Sequence, residues 1–145
     1  MGEEALPERH CYRCVYSWTP RRLPIRRCPR CKSRLWDQPK LRIPTYGGGL
    51  GVEEILAPHR KEIERLVQKH RAHDAMVFGS VARRQAGEES DVDLLVEWRS
   101  DRSPLARLAL MADLKRLLKR DVDVVSESDL YWSVRPQILA EAIPL

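Results

Sequence analysis

The chain has 145 residues, with 26 Lys and Arg against 21 Asp and Glu for a net charge of +5, and 43% apolar residues. That length allows one ordinary domain or two small ones, and that composition excludes a disordered chain. No stretch approaches the roughly 18–20 apolar residues of a membrane-spanning helix, and the opening MGEEALPERH lacks the apolar run of a secretory signal, so a cytoplasmic protein is expected.

The charge is unevenly spread. Residues 1–45 hold 11 Lys and Arg and 4 Asp and Glu, a net of +7. Residues 46–145 hold 15 and 17, a net of −2. All four cysteines and six of the ten prolines lie in the first part. The chain therefore reads as a small domain over 1–45, a glycine-rich linker over 46–51 and a second domain over 52–145.

The first domain is organised by Cys11-x-x-Cys14 and Cys28-x-x-Cys31, with 13 residues between the pairs. In a reducing compartment such pairs read as metal ligands rather than disulfides. Each CxxC turn presents two thiolates to one ion, and two turns close the tetrahedron that Zn²⁺ prefers. With four protein ligands no position is left for catalysis, so the expected zinc is structural. So short a segment buries too little surface to fold unaided, and the metal must supply the stability. Arg13, Arg27, Arg30 and Lys32 would offset the charge of the thiolates. The run CYRC…CPRCKSRLW resembles the rubredoxin-like knuckles of a small β zinc ribbon. Three readings of its surface stay open. The arginines, with Tyr12, Tyr16, Trp18 and Trp36 to stack on bases, suit nucleic acid. The basic patch equally suits docking to a partner protein. Alternatively those aromatics form a small core and the arginines are solvated.

Further along, Gly47, Gly48, Gly49 and Gly51 form the linker candidate. Without a following Lys-Ser/Thr they are no ATP-binding Walker loop. A helix is predicted from Val52 to His73, with Ile55, Leu56, His59, Ile63, Leu66, Val67 and His70 on one stripe. Pro58 either kinks it or marks its true start. A short buried strand follows over Ala75–Phe78 and ends at Gly79-Ser80, where a small helix begins. A second strand covers Asp91–Trp98, with Asp91, Asp93 and Leu95 on one face and Val92, Leu94 and Val96 on the other. Ser103 caps a helix that starts at Pro104 and runs to Lys119. Its basic end, Lys115, Arg116, Lys119 and Arg120, reads as solvated. Leu105 and Leu108 lie off its main apolar face. A third strand spans Asp121–Val125, and residues 127–142 are helical in pieces, broken near Pro136. The order implies an α/β (α+β) fold, a small mixed sheet covered by helices.

The chemistry gathers on acids. Asp91 and Asp93, two apart on a strand, project from the same face. Asp123 is a third acid inside an apolar strand. A buried acid is costly unless paired or metal-bound, and three that meet repel one another. Mg²⁺ resolves this, because it prefers carboxylate and phosphate oxygens. Gly79 lets a phosphate approach the backbone, and Ser80 can hold it. The reaction this implies is nucleotidyl or phosphoryl transfer with two metal ions.

GSVARRQAGEESDVDLLVEW, with the later VDVV and the ending RPQILAEAIPL, resembles the minimal nucleotidyltransferases of the DNA polymerase β superfamily. The resemblance spans roughly residues 52–145. It implies that Asp91 and Asp93 bind two Mg²⁺ ions, that Asp123 ligates the catalytic metal and helps deprotonate the nucleophile, and that Gly79 and Ser80, with Arg83 and Ser90, bind the nucleotide. Arg84 stands where the family commonly has glycine, and GEE fills the loop before Ser90. The resemblance further implies transfer of AMP from ATP to an acceptor hydroxyl, as in antitoxins that adenylylate a tyrosine of a HEPN ribonuclease toxin. Transfer to RNA or to a small molecule, and a non-enzymatic binding module, stay open as alternatives.

Overall fold

The computed structural model describes residues 4–41, 45–99 and 104–145. The expected cap Ser103, and Pro44 in the proline-rich stretch before the glycines, lie outside them. The described residues fall into two compact units, divided after residue 42.

The first unit is two knuckles and a minimal sheet. Strands β1 (Arg9–His10) and β2 (Ser17–Trp18) pair antiparallel around the first knuckle. The knuckles repeat each other bond for bond. The Cys11 carbonyl accepts the Val15 amide at 2.8 Å, and the Cys28 carbonyl accepts the Lys32 amide at 3.0 Å. The amides of Arg13 and Arg30 each donate to the sulfur two residues back, at 3.4 Å. Val15 and Lys32 close the two turns in the same left-handed conformation, both at φ 62°. The aromatics pack on one another. Tyr16 stacks on Trp18 with centroids 6.1 Å apart, and Trp36 meets Trp18 edge-on at 5.2 Å. The guanidinium of Arg30 lies 5.7 Å from the Tyr16 ring centre. Tyr16, Trp18 and Trp36 thus make contacts of the kind a small core needs.

In the second unit a short helix α1 (Val52–Ile55) and a 3₁₀ turn (Ala57–His59) lead into α2 (Arg60–Lys69). Pro58 sits in the first two positions of the 3₁₀ turn, where its missing N–H costs nothing. The single helix expected to reach His73 is therefore broken, and it also ends early. Arg71 turns left-handed at φ 61°, and the chain enters β3 (Ala72–Phe78) three residues before the expected start at Ala75. A bulge at Asp74 hid that strand's period. There follow α3 (Gly79–Ala82), β4 (Val92–Trp98), α4 (Pro104–Leu118), β5 (Val122–Val125), a 3₁₀ turn (Glu127–Asp129), α5 (Arg135–Glu141) and β6 (Ile143–Pro144). Pro136 lies at the start of α5 rather than breaking it.

The sheet order is β5-β4-β3-β6. β4 and β5 run parallel, while β3 pairs antiparallel with both β4 and β6. This is the mixed sheet covered by helices that the sequence order implies. Val92, Leu94 and Val96 of β4 are fully buried and pack with Ile63 and Val67 of α2 and Leu110 and Leu114 of α4. His70 is not part of that apolar seam. Its Nε2 pairs with Asp113 Oδ2 at 2.7 Å, tying α2 to α4 through a polar contact. Leu105 and Leu108, off the main apolar face, are exposed.

Residues 46–51, expected as a linker, are bonded into the second unit. The amides of Gly47, Gly49 and Leu50 donate to the carbonyls of Arg83, Arg84 and Ala86 at 2.8–2.9 Å. A β-carbon at Gly49 would sit 2.7 Å from the Gln85 carbonyl carbon. That glycine permits close backbone approach rather than slack.

Candidate active site

The parallel pairing of β4 with β5 sets Asp93 directly opposite Asp123 in register. Both therefore leave the sheet on the same side. Asp91 lies one residue before β4 and is exposed. Burial holds the Asp93 carboxyl above the ordinary aspartate range, and the charges of Asp123 and Asp91 push it the same way, against Arg83. The three acids are thus near enough to act on one another. They are not drawn into one ligand cluster. Asp123 is 52% exposed and its Oδ1 leans to Arg107 Nη2 at 3.7 Å. Three neighbouring, mutually repelling carboxylates are nonetheless the donor type that a hard divalent cation takes.

Gly79 closes the other side. It follows β3 at φ 74°, and a β-carbon there would collide with Asp93 Oδ2. Its amide donates to Glu141 Oε1 at 3.2 Å. Ser80 follows, half-buried, on α3. Arg83, at the end of α3, is held at two points. Nη1 reaches both oxygens of Glu141, at 3.1 and 3.2 Å, and Nε reaches Gln85 Oε1 at 3.1 Å. Ser90 immediately precedes Asp91. Its hydroxyl oxygen accepts the Gly87 amide at 2.7 Å and shapes the loop ahead of Asp91. Arg120, expected to be solvated, clamps that same loop by donating to the carbonyls of Gly87 and Ser90 at 2.7 and 3.1 Å.

Residues 61–145 match the family model of the polymerase beta nucleotidyltransferases. The chain belongs to that family. The protein adenylyltransferase MntA of Thermococcus cleftensis is 35% identical to this nucleotidyltransferase over 92 residues, which is 63% of this chain and 90% of MntA. A solved structure assigned as a minimal nucleotidyltransferase is 42% identical, with a TM-score of 0.59 over 68% of this chain and 100% of its own. A toxin–antitoxin structure with AMP-PNP shares the fold, with a TM-score of 0.52 at 22% identity over 58% of this chain and 69% of its own. The chain is accordingly an enzyme of nucleotidyl transfer, similar to protein adenylyltransferases.

Two residues of this nucleotidyltransferase site are given no role by the motifs above, Glu141, which lies inside the ending RPQILAEAIPL, and Arg107. Glu141 lies 62 positions from Gly79 and faces it only because α5 and β6 return along β3. Arg107 is one of several cations on α4. Among the described residues, the cysteines are the group whose ligand atoms converge for a metal. One sulfur from each of Cys11, Cys14, Cys28 and Cys31 lies within 4.8 Å of all the others. Cys11 and Cys28 are fully buried. Burial pushes the Cys11 thiol up to about 11. Burial pushes Cys28 up as well, but the amides of Cys31 and Arg30 and the neighbouring thiols outweigh it and bring Cys28 down to about 7. Four such sulfurs, with amides already donating to two of them, fit tetrahedral Zn²⁺. No helix among the described residues is long and apolar enough to cross a membrane.

Proposed function

We propose that this nucleotidyltransferase moves AMP from ATP to an acceptor hydroxyl, that the acceptor is a tyrosine of a HEPN-type toxin partner, and that the chain is the antitoxin of the pair. The observation that carries the reading is the in-register pair Asp93 and Asp123, with Asp91 two residues upstream and the Gly79-Ser80 turn packed against Asp93. The MntA relative supports the protein acceptor by its name. Asp91, Asp93 and Asp123 would hold two Mg²⁺ ions, which supply charge neutralisation at the transferring phosphoryl group and acidify the acceptor hydroxyl. Gly79 and Ser80 would hold the β- and γ-phosphates, with Arg83 as a further nucleotide-binding group. Asp123, the more exposed of the two paired acids, takes the proton of the attacking hydroxyl. The new oxygen–phosphorus bond forms as the bond to pyrophosphate breaks.

At its size the second unit has little room to carry its own acceptor-binding domain, so a partner presents the tyrosine. The test is transfer of label from ATP, with Mg²⁺, in the presence and absence of the HEPN-type partner. Label on the toxin is expected. Label on RNA would favour the alternative acceptor, and transfer undiminished by Asp91→Asn would sink the mechanism.

The first unit serves as a zinc ribbon in this reading, with Cys11, Cys14, Cys28 and Cys31 as ligands. Zinc content near one ion per chain is expected. Its sequence is strongly basic, with a net charge of +7 over residues 1–45. That favours an acidic contact, nucleic acid included. Binding of labelled RNA that does not weaken with salt would exclude it.

A further inference from the structure

Glu141 has no part in the chemistry above, yet it is the most enclosed acid beside the site. Its side chain is 8% exposed. A carboxylate so enclosed is costly unless its lone pairs are met by donors. The donors it has are the Gly79 amide and the Arg83 Nη1 group, the latter within reach of both oxygens. These belong to the turn and the arginine assigned above to the nucleotide.

The arrangement has a direction. Glu141 is buried, whereas the Arg83 side chain is 28% exposed. The carboxylate therefore lies behind the guanidinium, on its protein side. Arg83 is fixed by Glu141 at Nη1 and by Gln85 at Nε. An arginine carries donors at three nitrogens, so Nη2 is the edge left to a phosphate oxygen. On the same carboxylate, the bond from Gly79 fixes the turn that packs against Asp93 and leads into Ser80.

We propose that Glu141 is a positioning residue for the nucleotide site. It orients Arg83 and the Gly79-Ser80 turn before the phosphates arrive, so that these donors need not be ordered on binding. The inference rests on the nucleotidyl-transfer reading and adds to it a residue on a different element, α5.

The test uses the full chain with zinc and Mg²⁺, and four variants: Glu141→Ala, Glu141→Gln, Arg83→Ala and the double variant Arg83→Ala/Glu141→Ala. Two readouts are taken, calorimetric binding of a non-hydrolysable ATP analogue, and KM and kcat for transfer. Glu141→Ala is expected to weaken analogue binding and raise KM by roughly tenfold with kcat little changed, the pattern of lost ground-state binding. Glu141→Gln keeps an acceptor for the Gly79 amide and recovers part of the loss. Glu141→Ala costs less in the Arg83→Ala background than in wild type, because part of its effect runs through that arginine and part through the Gly79 amide.

Wild-type binding by Glu141→Ala would overturn the proposal. So would full additivity with Arg83→Ala. If Glu141→Ala does not fold, Glu141→Gln decides, and unchanged KM in it is fatal. Loss of folding in both variants would also overturn the proposal, since it makes Glu141 a stability residue. A wild-type chain that binds no nucleotide sinks the transfer reading itself. A wild type that binds, beside an unaffected Glu141→Ala, sinks this inference alone.

Discussion

The α-carbon of Gly79 rests against the carboxylate of Asp93, with no room for a β-carbon between them. The same residue sits at φ 74°, where L side chains are strained. Two independent requirements for glycine therefore coincide at the junction of β3 and α3. Gly79→Ala would push Asp93 off its place beside Asp123, and the left-handed backbone alone costs about 1–2 kcal/mol. A lower melting temperature and a loss of kcat/KM on the order of a hundredfold are expected, since small misplacements at a reacting centre are costly. A variant of unchanged activity would mean that the contact does not set the acid's position.

Asp93 works against the stability of the metal-free protein. It is half-buried, and Asp91 and Asp123 repel its charge. Asp93→Asn removes that repulsion while keeping the shape. In EDTA at pH 8 the variant is expected to melt higher than wild type. With Mg²⁺ the order narrows or reverses, because a ligand that binds only the folded wild type stabilises it by mass action. Transfer falls on the order of a hundredfold or more if Asp93 holds Mg²⁺ as proposed. A variant that melts lower in EDTA would contradict the electrostatic account.

These acids show where the sequence is legible. Alternation along β4 is visible in the residues themselves, so Asp93 could be placed opposite the buried face of Val92, Leu94 and Val96. That Asp93 meets Asp123 depends on cross-strand register, which local pattern does not encode, and the family resemblance supplied it. Arg84 is instructive. It departs from the family's usual glycine, and it takes a left-handed φ of 57°, the conformation glycine would adopt freely. Its side chain covers Gly51 and pairs with Glu54 at 3.2 Å. The glycines at 47–51 were opaque for the opposite reason. Dense glycine reads alike whether it loosens a chain or lets two backbones touch, and only the bonds to residues 83–86 tell them apart. Glu141 is in neither class. An acid at the end of a short helix looks solvated until the fold returns it to Gly79.

The knuckles carry a removable strain. Val15 and Lys32 hold equivalent left-handed positions, and a β-branched residue there is the worse fit. Val15 is 55% exposed, so its side chain buries little. Relief of about 1–2 kcal/mol of backbone strain is partly offset by the roughly 0.5–1 kcal/mol of chain entropy that glycine forfeits on folding. Val15→Gly should therefore stabilise the zinc-loaded unit by up to about 1 kcal/mol. Lys32→Gly should gain less, since Lys32 Nζ also donates to the Pro29 carbonyl at 2.7 Å. Slower zinc release to a chelator from Val15→Gly than from wild type checks the first. Faster release would show that the turn is not strained.

The contact between α2 and α4 makes stability depend on acid. Asp113 accepts from His70 at 2.7 Å and faces Lys69 on α2 and Arg116 on its own helix. The His70 hydrogen bond above all, with the charges of Lys69 and Arg116, holds its carboxyl below the ordinary aspartate range. A carboxylate lowered by folding stabilises the native state wherever it is ionised in both states. Its contribution is therefore complete above the unfolded value of about 4 and fades as pH falls through the lowered native one. Asp113→Asn is expected to unfold at lower urea than wild type at pH 6–7, and the gap between the two should close progressively below about pH 4. His70→Ala should lose much of the same contribution, because it removes the principal partner. A gap that persists unchanged into acid would mean that Asp113 acts by packing rather than by charge, and that the seam between the helices holds without its polar tie.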